Sequence, residues 1–558
     1  MSSSKKKQLR KEQYMTERQT AAAQEAKKLK RYTLTFWVVI ALVICIFIGA
    51  VSLNPIKNVV YKNTDAITIG NHTISAVELN YFYVNAVSSY ISETSSYLSL
   101  LGLDTTKPLN EQIINTETGA TWADNFLTSA QNSIKSAYAL YDLAIAAGHK
   151  LSDEEAASID SQISILNLYA PLYGFSNANA YLRGTFGNGA DTESYRRYLE
   201  VTTMATSYLS AYSESLEFSA DAMKEFEALT PYRFNSFTYS TYYLSYTKFQ
   251  EGETDKDGNF IYSDDAEKEA AIKAAREAAK KAAEDLAAGN YKDLDAFDEA
   301  IKELDKKISN KETSTAVSTK KTDLLYDNVD ALFQDWMIGK TAVEGKEDEF
   351  EYNMPAEGDM TVIPYTIGSG ENEAVYGYYV VRFGSCKTND FAMKNVRHIL
   401  VAFEGGTTDS SGNKTYSDEE KASAKLKAEK LLAQWEAGIK TEDSFAELAN
   451  KESADTDSNT KGGLYKDVYP GMMISNFNDW CYDSERKSGD TGVIEGTSGY
   501  HVMYFVGDSE TTFRNYMVEN ALRSETVDNW YNEQVEAMDL KVLTTKYVEL
   551  DMVINHSH

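Results

Sequence analysis

The sequence predicts an α+β protein in several parts: an apolar helix near the N-terminus, a mostly helical region, and two copies of one α/β module. Three observations carry this reading. At 558 residues the chain is too long for one hydrophobic core. Residues 33–53 run without a charge, far enough to cross a hydrocarbon layer of about 30 Å. The segment FQEGETDKDGNFIYSDD at Phe249–Asp265 also aligns without a gap with FEGGTTDSSGNKTYSDE at Phe403–Glu419.

Residues 1–32 form a basic tail, with ten Lys or Arg and three Glu before residue 32. Positive charge on the N-terminal side of an apolar run keeps that end cytoplasmic, so residues 33–53 read as a transmembrane helix with the main body outside the cytosol. A cleaved leader is the competing reading, because Ala50-Val51-Ser52 could serve as a cleavage site. The run exceeds a normal leader core, which favours an uncleaved single-pass anchor.

Residues 64–230 read as a helical domain. Ala66–Ile74 alternates around Gly70-Asn71 and predicts a hairpin, and Ser75-x-x-Glu78 is a capping box opening a helix. Further helices are expected near 121–147, after the second box Ser152-x-x-Glu155, and over 192–215 and 219–229. Residues 511–553 hold a last helix with Val527, Trp530, Tyr531, Val535 and Met538 on one face. A lone helix must bury such a face, and the helical domain is the obvious partner.

The repeat defines modules at 231–388 and 391–508. LFQDWMI at Leu332–Ile338 matches NFNDWCY at Asn476–Tyr482, and GYYVVRF at Gly377–Phe383 matches GYHVMYF at Gly499–Phe505. The offset falls along the chain, so the first copy carries extra residues, assigned to the acidic stretch Gly339–Glu373.

The second module contains VRHIL, then SADTDSNTKGG, GMMISNF and TSGYH, and in this order it resembles the parvulin family of peptidyl-prolyl isomerases. The resemblance spans Asn395–Gly507 and implies His398, Asp455 and His501 as catalytic residues, with Met473, Phe477 and Ser498 at the substrate pocket. Tyr465 falls where the family has the middle of Asp-Leu-Gly after its Gly-Gly turn, and is placed at the pocket too. Met473 and Phe477, four residues apart, would share a helical face. Asp455 would shape the field at the rotating amide; attack by its carboxylate is the weaker reading. In the first module the gapless alignment sets Leu244 against His398 and Tyr379 against His501, and no Asp-bearing Gly-Gly turn precedes Phe333. That copy is therefore expected to be a degenerate, inactive parvulin-like module.

The whole layout resembles membrane-tethered foldases of the PrsA/SurA type, in which a helical chaperone domain is completed by a C-terminal helix. This implies unfolded exported polypeptides as partners and leaves room for a homodimer. A holder of unfolded chains without turnover is the alternative function, and a surface adhesion protein is a third.

Other classes fit poorly. Beyond residue 31 there are 45 basic and 81 acidic residues, which argues against a nucleic-acid partner. Six His and three Cys without paired metal spacing imply no metal and no cofactor, and Asp255–Asn259 reads as a turn because Ala266 stands where a calcium loop needs Glu.

Overall fold

A computed structural model describes residues 55–554 except 96–97, 99–100, 258, 344, 347–348 and 369–372. The expected basic tail and transmembrane helix lie outside the described residues; among those described, no helix is long and apolar enough to cross a membrane. The described residues divide into two compact units, one of those up to 217 with 404–420 and those from 523 onward, the other of 218–403 and 421–522.

In the first unit, strands β1 (Asp65–Ile69) and β2 (His72–Ser75) form the expected hairpin. Helix α1 (Ala76–Thr94) opens on the Ser75/Glu78 capping box, and α2 (Trp122–Ala146) on a box made by Thr121 and Asp124. Each box satisfies backbone N–H groups that a helix start leaves bare. Ser152 and Glu155 cap α3 (Asp153–Leu172) in the same way. Helix α4 (Ala178–Phe186) was not expected, and α5 (Thr192–Ser215) follows it. Tyr81, Tyr83 and Tyr138 are fully buried in this core, and Tyr138 donates to the buried Glu78 carboxylate at 2.8 Å. Residues 523–536 of the last helix pack here: Trp530 stacks on Tyr212 at 3.9 Å and the Tyr531 hydroxyl meets that of Ser136. A strand at Leu540–Val542 then pairs antiparallel with β1, and Val548, Met552 and Ile554 enter the same core.

The second unit opens with α6 (Ala220–Leu229), whose Phe226 packs on Phe234 and Val518. The first module follows as β3 (Ser236–Ser245), α7 (Asp265–Ala287), α8 (Leu294–Ser309), β4 (Thr319–Leu325), α9 (Ala331–Met337), β5 (Met360–Ile367) and β6 (Ala374–Lys387). The second is β7 (Ala392–Ala402), α10 (Asp418–Glu436), α11 (Glu442–Glu452), β8 (Leu464–Val468), α12 (Ser475–Cys481), β9 (Thr491–Glu495) and β10 (Gly499–Thr512). The sheets run β4-β3-β6-β5 and β8-β7-β10-β9, the same antiparallel order twice.

The structure corrects two details of the repeat. The stretch 339–373 is not all insertion, because β5 within it is the counterpart of β9. The residue equivalent to His398 is Thr241, not Leu244: Val381 pairs with Thr241 as Met503 pairs with His398. A 3-10 turn at Tyr246–Phe249 takes up the three extra residues that shift the register.

Candidate active site

Strand pairing brings the two histidines together. His398 lies opposite Met503 and His501 opposite Leu400, so the imidazoles are diagonal neighbours on one face of the sheet. Their Nδ1 atoms are 2.9 Å apart and the rings lie at 26°. His398 is buried, at 3% exposure. Phe477, on α12, sets its ring edge-on to both imidazoles at 5.7 and 5.6 Å.

Asp455 reaches the pair from the loop after α11. The Ala454 N–H donates to the Leu400 carbonyl, and the Leu400 N–H to the Ser453 hydroxyl, which staples that loop to β7. The Asp455 carboxylate then accepts from His398 Nε2 at 2.9 Å through Oδ2. The same oxygen accepts from the Tyr465 hydroxyl at 3.1 Å and from the Ser458 hydroxyl. Ser458 is 1% exposed and its oxygen lies 3.2 Å from His398 Nε2.

The Gly-Gly turn makes this convergence possible. Gly462 and Gly463 both have φ near +68°, and a Cβ on Gly463 would sit 2.1 Å from the His398 carbonyl oxygen. The strands close there through a 2.8 Å bond from the His398 N–H to the Gly463 carbonyl. Only glycine tolerates both the conformation and the approach.

Burial sets the protonation of the site. It depresses both imidazoles, His501 to about 4, with the neighbouring His398 adding to the shift, while Asp455 partly offsets it at His398. Burial pushes Asp455 up, but its hydrogen bonds from Ser458, His398 and Tyr465 win and hold it below the usual carboxylate range. Tyr465 is pushed up to about 12 by burial and by the Asp455 charge. Around neutral pH the site is one carboxylate beside two neutral imidazoles.

The structure thus brings together His398, His501, Asp455, Tyr465 and Phe477. Met473 packs in the same apolar cluster but lies before α12 rather than on it, so the shared helical face expected for Met473 and Phe477 does not exist. Ser498 is exposed in the turn before β10, its carbonyl accepting from the Phe403 N–H. Ser458 was missed, since its Ser/Asp/Asn surroundings look like a solvated loop.

The first module presents a different surface on the same face. Tyr379 stands in place of His501, Thr241 in place of His398, and Tyr243 in place of Leu400. Tyr379 lies 4.8 Å from Tyr243, 6.0 Å from Tyr365 and 5.2 Å from Phe333, ring centre to ring centre.

Residues 378–508 match the model of the PPIC-type PPIASE domain, and the second module is therefore a parvulin-type peptidyl-prolyl isomerase domain. Among curated proteins the chain is 26% identical over 112 residues to foldase protein PrsA 1 of Listeria monocytogenes, covering 19% of this chain and 38% of that one. It is 28% identical over 269 residues to foldase protein PrsA of Staphylococcus epidermidis, covering 47% and 74%. Over 180 residues it is 27% identical to chaperone SurA of Methylococcus capsulatus, covering 31% and 35%. The first of these relatives is thus spanned over well under half its length. A solved PrsA isomerase from Bacillus anthracis aligns with 20% identity and a TM-score of 0.17, over 27% of this chain and 59% of that one. The chain thus carries a parvulin-type domain and is similar to foldases named PrsA and to a SurA chaperone.

Proposed function

We propose that the protein is a membrane-anchored extracytoplasmic foldase that turns X-Pro bonds of exported polypeptides between cis and trans and binds those chains while unfolded. The observation that carries this reading is the carboxylate–imidazole–imidazole line of Asp455, His398 and His501 beside the apolar side chains of Phe477 and Met473. Isomerisation breaks no bond. It must overcome a barrier of about 18–20 kcal/mol because the amide loses its resonance on twisting. In this reading Phe477, Met473 and Tyr465 hold the proline ring and exclude water. On twisting, the amide loses the charge separation of the planar form, so the dry apolar walls favour the twisted state, while the buried polar line shapes the field beside it. His398, His501 and Asp455 act by field and hydrogen bonding rather than by attack. Ser498, exposed in its turn, would contact a client only at the rim.

A proline-limited refolding assay tests the proposal. The intact chain is expected to accelerate the slow phase, and His398→Ala and His501→Ala to remove the gain. No acceleration by the intact chain would leave the second reading, a holder of unfolded chains without turnover. That reading draws support from a cleft of about 740 Å³ in the first unit, lined among others by Phe82, Tyr90, Phe126, Leu140 and Tyr198.

A further inference from the structure

We propose that Tyr465 and Ser458 are positioning residues of the isomerisation site, which fix the tautomer of the histidine pair by holding the Asp455 carboxylate ionised. The proposal rests on the isomerase reading of this site and goes beyond it in giving Tyr465 a second role besides lining the pocket, and the buried Ser458 a measurable part in the reaction.

The argument follows the protons. An ionised Asp455 only accepts, so His398 must carry its proton on Nε2, the atom 2.9 Å from Oδ2. A neutral His398 then has a lone pair on Nδ1. That lone pair accepts from His501 Nδ1 at 2.9 Å, which places the His501 proton on Nδ1 and leaves Nε2 as a bare acceptor. The ideal Cβ position of Gly496 is 2.5 Å from His501 Nε2, so the missing side chain there leaves the acceptor room.

The opposite chain of bonds is equally complete once Asp455 is neutral. The Ser458 hydroxyl can turn to donate to His398 Nε2, 3.2 Å away. His398 then donates from Nδ1, and His501 carries its proton on Nε2. An ionised Asp455 therefore fixes His501 Nε2 as an acceptor, whereas a neutral one releases it to donate.

Two hydroxyls defend that charge. Tyr465 and Ser458 both donate to Oδ2, the oxygen already serving His398. Hydrogen bonds to the charged form favour it. The other ionisable groups nearby are accounted for: Asp457, in the same loop, is felt at Tyr465. The Arg397 guanidinium on β7 is engaged by Glu442 and by the carbonyls of Lys461 and Gly462. No cation among the groups bonded to Asp455 shares the work. Tyr465 stands where the resembled family has Asp-Leu-Gly, so its half of the clamp is a departure from that pattern.

The test uses the full chain with ¹⁵N-labelled histidine, together with the pH profile of the proline-limited refolding rate. In the unmodified protein near pH 7, His501 Nε2 is expected to give the shift of an unprotonated nitrogen. Asp455→Leu, which leaves His398 Nε2 no carboxylate to donate to and frees the Ser458 hydroxyl to donate there, should move that proton to Nε2. Tyr465→Phe should raise the pH at which the tautomer changes and move the acid limb of the rate profile with it. It should cost about ten-fold in kcat/KM at neutral pH, the lower end of what the loss of one hydrogen bond to a charged group costs. Ser458→Thr should behave as the unmodified protein and Ser458→Ala as Tyr465→Phe. A protonated Nε2 on His501 in the unmodified protein overturns the proposal. So does an acid limb and tautomer change that stay put in both Tyr465→Phe and Ser458→Ala. The nitrogen spectrum is read without turnover, so a protein that fails the refolding assay still decides the tautomer question separately.

Discussion

The two modules of the second unit share a sheet order and an apolar scaffold but not a polar site. Phe333 and Phe477 hold equivalent places on the short helices α9 and α12, and both are buried; Phe383 and Phe505 do so on the last strands. Around this shared frame, one copy carries two imidazoles and a carboxylate, and the other a group of tyrosines with Thr241. The comparison separates residues the fold needs from residues the chemistry needs. Apolar anchors persist in both copies because losing one leaves a cavity, whereas the polar line can be exchanged for aromatic rings without cost to packing.

The comparison can be broken most directly at the histidines. His398→Ala or His501→Ala should cut the refolding acceleration by about a hundredfold or more, the scale of losing a positioned polar partner, and leave client binding in place. Next come the paired phenylalanines. Phe477→Ala and Phe333→Ala should each cost about 3–5 kcal/mol of stability in chemical denaturation, yet only Phe477→Ala should also lower isomerase activity. Gly463→Ala should destabilise the second module by about 2–3 kcal/mol, because the backbone is left-handed there and the His398 carbonyl is in the way. A smaller effect is set by pH. His501 titrates near 4 when folded against about 6.5 when unfolded, so the unfolded chain binds more protons between those values. The lowered Asp455 acts in the same sense. Stability of the second module should therefore fall as the pH drops from about 6.5 towards 4, and His501→Phe should flatten that slope in melting curves. The smallest effect is a null: Thr241→His with Tyr379→His should give the first module no activity in the refolding assay, since residues 310–318, between α8 and β4 where the Asp455 loop has its counterpart, hold no Asp.

Much of this was legible in the chain because local chemistry repeats itself. The capping boxes at Ser75 and Ser152 and the turn at Gly70-Asn71 are satisfied within a few residues, so the spacing alone discloses them. The edge strands β4 and β8 were not legible. Their TKKTDLL and LYKDV hold charges that suit an exposed edge but hide the alternation of a strand. Helix α4 was lost behind Asn and Gly residues, and the strand at Leu540–Val542 behind its brevity. At the site, His398 and His501 stood out by rarity and position. Ser458 did not, because a serine in a polar loop announces nothing until the loop folds back over β7. The misplacement of Leu244 has a similar cause: a gapless match anchored in a surface loop carries no information on how strands pair beside it.

The pairing of β1 with the strand at Leu540–Val542 has a consequence for the order in which a chain is made. Ile67 waits for Val542, and the core around it for Val548, Met552 and Ile554, so β1 has no neighbour on that side until the strand at Leu540–Val542 has been made. A polypeptide cut short before Leu540 leaves its opening hairpin with a bare edge, so the first unit can be sealed only once that distant strand has been made.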